Sequence, residues 1–211
     1  MPRPTQSPFA ALLTALFFVF VMPAAPASAQ DKAVSVDAIL NDPQAPAAGN
    51  PKGDITIVAF LDYNCPFCKN SAPDLERIVK ADGKIRLVYK DWPILTPASI
   101  HGAQLALAAK YQGKYEEVHH ALMGIPGRRI AKETMTEAVQ SSGVDMERLD
   151  ADLKQHGAEI QALIQRNLDQ ADALGLSGTP VYLIGPFKAS GALTYEQFQQ
   201  AVAQARAQGR Q

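Results

Sequence analysis

Phe60-Leu61-Asp62-Tyr63-Asn64-Cys65-Pro66-Phe67-Cys68 carries both cysteines of this 211-residue chain. Residues 54–61, which run into it, are β-branched and almost continuously apolar, as expected of a central strand covered on both faces. Pro66 then stands where proline is favoured, at the first position of a helix. Beyond it Cys68, Ala72, Leu75 and Val79 recur at helical spacing, and Asp82-Gly83 ends the run. A Cys-x-x-Cys pair at a strand-to-helix junction is a redox signal. Stapling explains the pair poorly, because a bridge across two intervening residues removes little unfolded-state entropy.

The same placement assigns unequal chemistry to the two thiols. With Pro66 at the first helical position, Cys65 is the N-cap. Its sulfur can accept backbone N–H bonds from Phe67 and Cys68 at the positive end of the helix dipole, which favours thiolate over thiol. Cys68, a turn further in and facing the sheet, is expected to be less exposed and to hold its proton longer. Cys65 therefore exchanges with the partner, and Cys68 resolves the mixed disulfide. Phe67 offers no imidazole to help, so helix-end hydrogen bonds carry most of the effect. Asp62 is expected to face solvent, since charged residues are rarely buried.

Around this motif the chain reads as one α/β domain with a long helical interruption. Residues 85–89 form a second strand, and strand, helix, strand in so short a span favours parallel pairing. From 97 to 174 the pattern is helical only, punctuated by Gly124, Gly127, Gly143, Gly157 and Gly175. Tyr115, Val118, His119 and Leu122 mark one amphipathic helix, and Ile160, Leu163, Ile164, Leu168 and Ala171 a longer one. Strand character returns at 181–184, a second short strand is expected at 187–192, and Thr194 with Gln197 makes a capping box for a last helix.

The chain's front reads as an export signal. Arg3 is followed by an apolar run over residues 9–22, interrupted only by Thr14, and then by Ala27-Ser28-Ala29, the small-x-small pattern of signal cleavage. That run falls short of the roughly 20 residues a spanning helix needs. Residues 30–52, rich in Ala, Pro, Asn and Asp, read as a leader with a short amphipathic patch at Val36, Ile39 and Leu40. Acidic residues number 21 and basic ones 20, so no charge field points to nucleic acid or an anionic membrane.

No metal site is expected, because structural zinc needs four ligands and there is no second cysteine pair. His101, His119, His120 and His156 all fall in the helical stretch, and adjacent His119 and His120 point to different helix faces. Cu(I) held by Cys65 and Cys68 alone stays open, since thiolates suit it.

With those residues in place, the chain resembles the DsbA-like branch of the thioredoxin superfamily, including its exported suppressor-of-copper-sensitivity C subgroup. The resemblance rests on the nine residues quoted above, on Pro73, and on Gly178-Thr179-Pro180 opening the late strand. It rests too on Gly49-Asn50-Pro51-Lys52-Gly53-Asp54 and Lys90-Asp91-Trp92-Pro93-Ile94-Leu95. It implies a thioredoxin fold (βαβ…ββα) with an inserted all-helical domain: signal peptide 1–29, leader 30–53, thioredoxin-like domain 54–95 and 176–211, helical domain 96–175.

It further implies a periplasmic thiol–disulfide oxidoreductase working through a Cys65–Cys68 disulfide without cofactor or metal. Thr179 and cis Pro180 would bind substrate together with Pro66 and Phe67, the backbone of Thr179 pairing with a substrate strand. The implied partners are unfolded exported proteins with cysteines and a membrane redox partner. That partner is a quinone-linked oxidant for an oxidase, or a reductant for the alternative isomerase or reductase; a copper-tolerance role is a further alternative. A monomer is expected.

Two positions depart from the branch. Ala59 stands where many members carry an acid, leaving Lys90 or Asp91 as substitute charges, and Phe67 stands where strong oxidases have histidine. Tyr63, Phe67, Trp92 and Ile94 are candidates for an apolar collar around the site, with plain core packing as the competing role.

Overall fold

Three strands from the front of the domain and two from its end meet in one sheet. The computed structural model describes Met1 and residues 35–209; the expected signal peptide, residues 1–29, lies outside the described residues. Strand β2 (Ile55–Leu61) runs parallel to β3 (Ile85–Asp91), in register from Ile55↔Ile85 to Leu61↔Asp91. Helix α2 (Pro66–Asp82) makes the crossover between them and ends on Gly83 at φ 70, where a residue without Cβ is unstrained. On its other edge β2 pairs antiparallel with β4 (Val181–Ile184), and β4 with β5 (Phe187–Ser190). Helix α7 (Tyr195–Gln208) follows, closed by the expected Thr194–Gln197 capping box.

This is a thioredoxin fold, and its helical segment is inserted between β3 and β4. That segment comprises α3 (Pro97–Ala109), a 3-10 turn at Lys110–Gln112, α4 (Tyr115–Met123), α5 (Lys132–Gln140) and α6 (Met146–Ala173). It shares a core with the sheet: Leu107, Val118, Leu122 and Ile164 belong to the same buried cluster as Ile57, Leu75, Leu87 and Cys68. A smaller cluster of Ile39, Val58, Phe60, Val88, Trp92 and Val181 covers the opposite face of the sheet. The central strands are thus buried on both sides, which is why β2 reads as a continuous apolar run rather than an alternating one.

Three expectations change. Residues 36–49 are more than a leader. Helix α1 (Val36–Leu40) buries Ile39 to 1 % exposure, and β1 (Ala47–Gly49) pairs antiparallel with β3 at the sheet edge. The sheet order is therefore β1-β3-β2-β4-β5. Gly157 does not interrupt anything: α6 runs unbroken through it for 28 residues. An interior glycine costs a helix only about 1 kcal/mol, and the buried face of Leu149, Ile160, Leu163 and Ile164 offsets it. The second late strand stops at Ser190, where Gly191 turns the chain at φ 94.

One ion cluster fastens this front segment to the rest. Lys90, fully buried on β3, donates to Asp42 at 3.2 Å, and Arg166 on α6 donates to both oxygens of the same carboxylate at 2.9 and 3.3 Å. Removing the carboxylate would leave a buried ammonium without its counter-charge. Asp42→Ala is accordingly expected to lower the unfolding free energy by about 3–5 kcal/mol, measured by urea denaturation. A loss below about 1 kcal/mol would make the cluster no stronger than a surface ion pair.

Candidate active site

Cys65 caps α2, in extended conformation at φ −84 and ψ 114, and its sulfur accepts the Cys68 backbone N–H at 3.3 Å. Both cysteines are free and buried, Cys65 to 2 % and Cys68 to 0 % exposure. The Cys65 thiol also donates to the Thr179 carbonyl at 3.2 Å, across 114 positions of sequence. Thr179–Pro180 is a cis peptide. The Thr179 hydroxyl is buried without a hydrogen-bond partner among the described residues and lies within electrostatic reach of the Cys65 sulfur. Among the four residues expected to bind substrate, Phe67 is 60 % exposed, Pro66 and Thr179 are half-buried, and Pro180 is buried.

These surroundings split the two thiols. Donation from the Cys68 thiol, opposed by burial and aided by the Thr179 hydroxyl and the N–H groups of Cys68 and Phe67, brings the Cys65 pKa down to about 6. Burial, and then the facing Cys65 sulfur, push Cys68 well above its ordinary value. At neutral pH the arrangement holds one thiolate and one thiol side by side. That is the polarity thiol–disulfide exchange needs, an attacking sulfur and a reserve that resolves.

Asp62 overturns its expected orientation. It is 1 % exposed, and its carboxylate turns inward to accept the backbone N–H groups of Asn64 at 2.7 Å and of Ile94 and Leu95 at 2.9 Å each. A carboxylate given several backbone donors is solvated by the protein itself, so burial no longer carries its usual penalty. Asn64 is buried as well. Its amide donates to Thr96 Oγ1 at 2.8 Å and its carbonyl accepts from the Ile130 N–H, tying the cysteine turn to the helical segment. Asx side chains bonding two residues along are a recognisable turn signal, but their long-range partners are not legible from spacing.

The substitute charges do not reach the cysteines. Lys90 projects from the sheet face opposite α2 and is held by Asp42. Asp91 faces the α2 side, but its carboxylate accepts from the Tyr115 hydroxyl at 3.0 Å. Burial raises it to about 7. Lys69, unnoticed in the sequence, sits one turn past Cys65 and within the electrostatic reach of Asp62, Cys65 and Cys68. Its position at i+4 from the first cysteine was the available signal. Its ammonium donates to the Ile125 carbonyl at 2.7 Å.

The collar divides. Tyr63 and Trp92 are core residues at 2 % exposure, Tyr63 partnered by His119 Nδ1 at 3.0 Å. Phe67 and Ile94 are exposed, and Leu95 and Ile100 join them. His119 is buried while His120 is at the surface beside Glu76, so the two rings do occupy different faces. Among the described residues no group of three or more His, Cys, Asp or Glu is placed to hold a metal ion.

The family model described as Thioredoxin matches residues 41–204, and the chain belongs to that family. Its solved structural neighbours are DsbA-like. A thioredoxin-like oxidoreductase from Silicibacter pomeroyi DSS-3 is 40 % identical with a TM-score of 0.76, over 82 % of this chain and 98 % of that one. The thiol-disulfide exchange protein alpha-DsbA2 from Wolbachia pipientis is 29 % identical with a TM-score of 0.75, over 80 % and 90 %. The catalytic domain of Proteus mirabilis ScsC is 28 % identical with a TM-score of 0.71, over 81 % and 94 %. Among curated proteins the chain also matches the Na(+)/H(+) antiporter NhaA 1 of Mycolicibacterium gilvum, 25 % identical over 69 % of this chain, and spans a quarter of that protein's length.

Titration of the reduced protein by ultraviolet thiolate absorbance is expected to show a group with midpoint about 6 that disappears in Cys65→Ser. Thr179→Val is expected to move that midpoint upward. Because the folded value lies below the unfolded one, the thiolate adds stability to the reduced protein that is complete above about pH 8.5, the ordinary cysteine value. That stability is lost as pH falls through about 6. A wild-type midpoint close to the ordinary value would contradict the assignment.

Proposed function

We propose that this protein is an exported protein thiol–disulfide oxidoreductase that donates the Cys65–Cys68 disulfide to cysteine-bearing proteins in the periplasm. The observation that carries this reading is the Cys65 sulfur at the N-terminus of α2, lowered to about 6 and lying against Thr179. A low pKa stabilises the reduced form of the pair relative to the disulfide, so the disulfide is readily given away. The chain's likeness to alpha-DsbA2 and ScsC and the signal-like residues 1–29 support the compartment.

In the oxidising direction a substrate thiolate attacks Cys65 Sγ of the disulfide. The S–S bond breaks, its electron pair leaves on Cys68, and Cys68, whose buried site favours the thiol, takes up a proton. A second substrate thiolate then attacks the substrate sulfur of the mixed disulfide and expels Cys65 as the stabilised thiolate. Two electrons pass from substrate to protein, which a membrane-bound, quinone-linked oxidant removes to restore the disulfide. The backbone of Thr179, beside the reacting sulfur, pairs with an extended substrate segment, and exposed Phe67 meets its side chains.

The test is oxidative refolding of a reduced substrate beside repair of a scrambled one. The oxidised wild type is expected to accelerate the first, Cys65→Ser to fall to the uncatalysed rate, and Cys68→Ser to accumulate a mixed disulfide at Cys65. Repair of the scrambled substrate without oxidation of the reduced one would replace the oxidase by an isomerase. Tight Cu(I) binding with neither activity would replace it by a metal-handling role.

A further inference from the structure

Asp62 has every polar atom engaged, and its partners belong to two different places. Its carbonyl accepts the Cys65 backbone N–H at 3.0 Å, and its own N–H is directed at the Cys68 sulfur. Its carboxylate holds the Asn64 N–H on one oxygen and the consecutive N–H groups of Ile94 and Leu95 on the other. One residue therefore fixes the cysteine turn and the segment after β3 to each other.

The segment it holds is unusual for something so firmly anchored. Ile94 and Leu95 are 39 % and 47 % exposed, so their side chains contribute little to the core that would justify ordering them. Ordering an exposed loop costs backbone entropy of about 1–2 kcal/mol per residue, and large apolar side chains left in water add no folding stability. Thr96, the next residue, is in turn bonded to the Asn64 amide at 2.8 Å. Buried carboxylate and buried amide together tie a segment bearing two exposed apolar side chains to the turn that carries Cys65.

We propose that Asp62 is a positioning residue for substrate selection: it fixes Ile94 and Leu95 beside Cys65 as contacts for apolar side chains that flank a cysteine in an extended protein segment. The inference rests on the reading of Cys65 and Cys68 as an exchange pair. A small dithiol needs only the sulfurs, whereas a peptide also needs the anchored rim. Asp62 therefore governs the preference for peptide over small thiol.

Asp62→Ala tests this, because it removes both oxygens that accept these N–H groups. The readouts are kcat/KM for a dicysteine peptide with flanking leucines, the same constant for dithiothreitol, and hydrogen exchange at the Ile94 and Leu95 amides. The peptide-to-dithiothreitol ratio is expected to fall roughly tenfold, mainly through KM, the equivalent of partial loss of two apolar contacts. The two amides are expected to lose protection while those of β2 and β3 keep it. A second variant, Ile94→Ser with Leu95→Ser, changes only exposed side chains and is expected to lower the ratio similarly with both amides still protected. An unchanged ratio in either variant, or equal losses on both substrates, would overturn the role of Asp62. Wild-type protein that fails to exchange with dithiothreitol at all would instead overturn the exchange-pair reading on which it rests.

Discussion

The 3.2 Å contact between the Cys65 sulfur and the Thr179 carbonyl is the constraint around which the chain is arranged. Two backbone segments separated by over half the chain must meet at one sulfur. They meet because β2 is the strand that carries both neighbours, β3 in parallel and β4 in antiparallel register. The motif turn leaves the end of β2 and Thr179 enters the start of β4, so both lie at the same end of the sheet. Everything between β3 and β4 has to leave the sheet and return without disturbing that end. The helical segment does so by packing its apolar faces into the core the sheet already has.

Polar groups do the fine placement. An apolar core fixes elements to within its packing tolerance, but a reacting sulfur and its donors need directional bonds. Asp62 and Asn64 supply them from the turn itself, reaching the segment after β3, the start of α3 and the turn before α5. Behind α2, Ser71 and Tyr182 are hydrogen-bonded to each other, tying the helix that bears both cysteines to the strand that follows Pro180. Each of these polar groups is buried, and each is satisfied, which is the condition under which such groups specify geometry rather than destabilise it.

Much of this was legible from residue order. The apolar run of β2, the Pro66 start, the Gly83 stop and the Thr194 box are local signals, and the structure follows them because local preference and packing agree. The direction of the thiol asymmetry also follows from position, since a helix N-cap favours the thiolate. Helix-end hydrogen bonds do not carry most of it, however: the largest cause is donation from the Cys68 thiol to Cys65. What was not legible depends on partners far away. Asp62 was expected at the surface because an isolated carboxylate belongs there, and only the distant N–H groups of Ile94 and Leu95 make its burial favourable. Lys90 and Asp91 could serve as local charges until Asp42 and Tyr115, each some distance along the chain, are seen to hold them. Residues 47–49 looked like leader because three residues with no apolar alternation carry no strand signal; their pairing comes from the open edge of β3.

A thiolate favoured at Cys65 and a thiol favoured at Cys68 both stabilise the reduced pair, so the direction of exchange is a matter of equilibrium. Equilibrating the protein across mixtures of reduced and oxidised glutathione and trapping the thiols gives the potential of the Cys65–Cys68 couple directly. A potential above about −200 mV, towards the oxidising end of the superfamily, is the value this active site predicts. A potential near the thioredoxin value of about −270 mV would contradict it and make the protein a reductant.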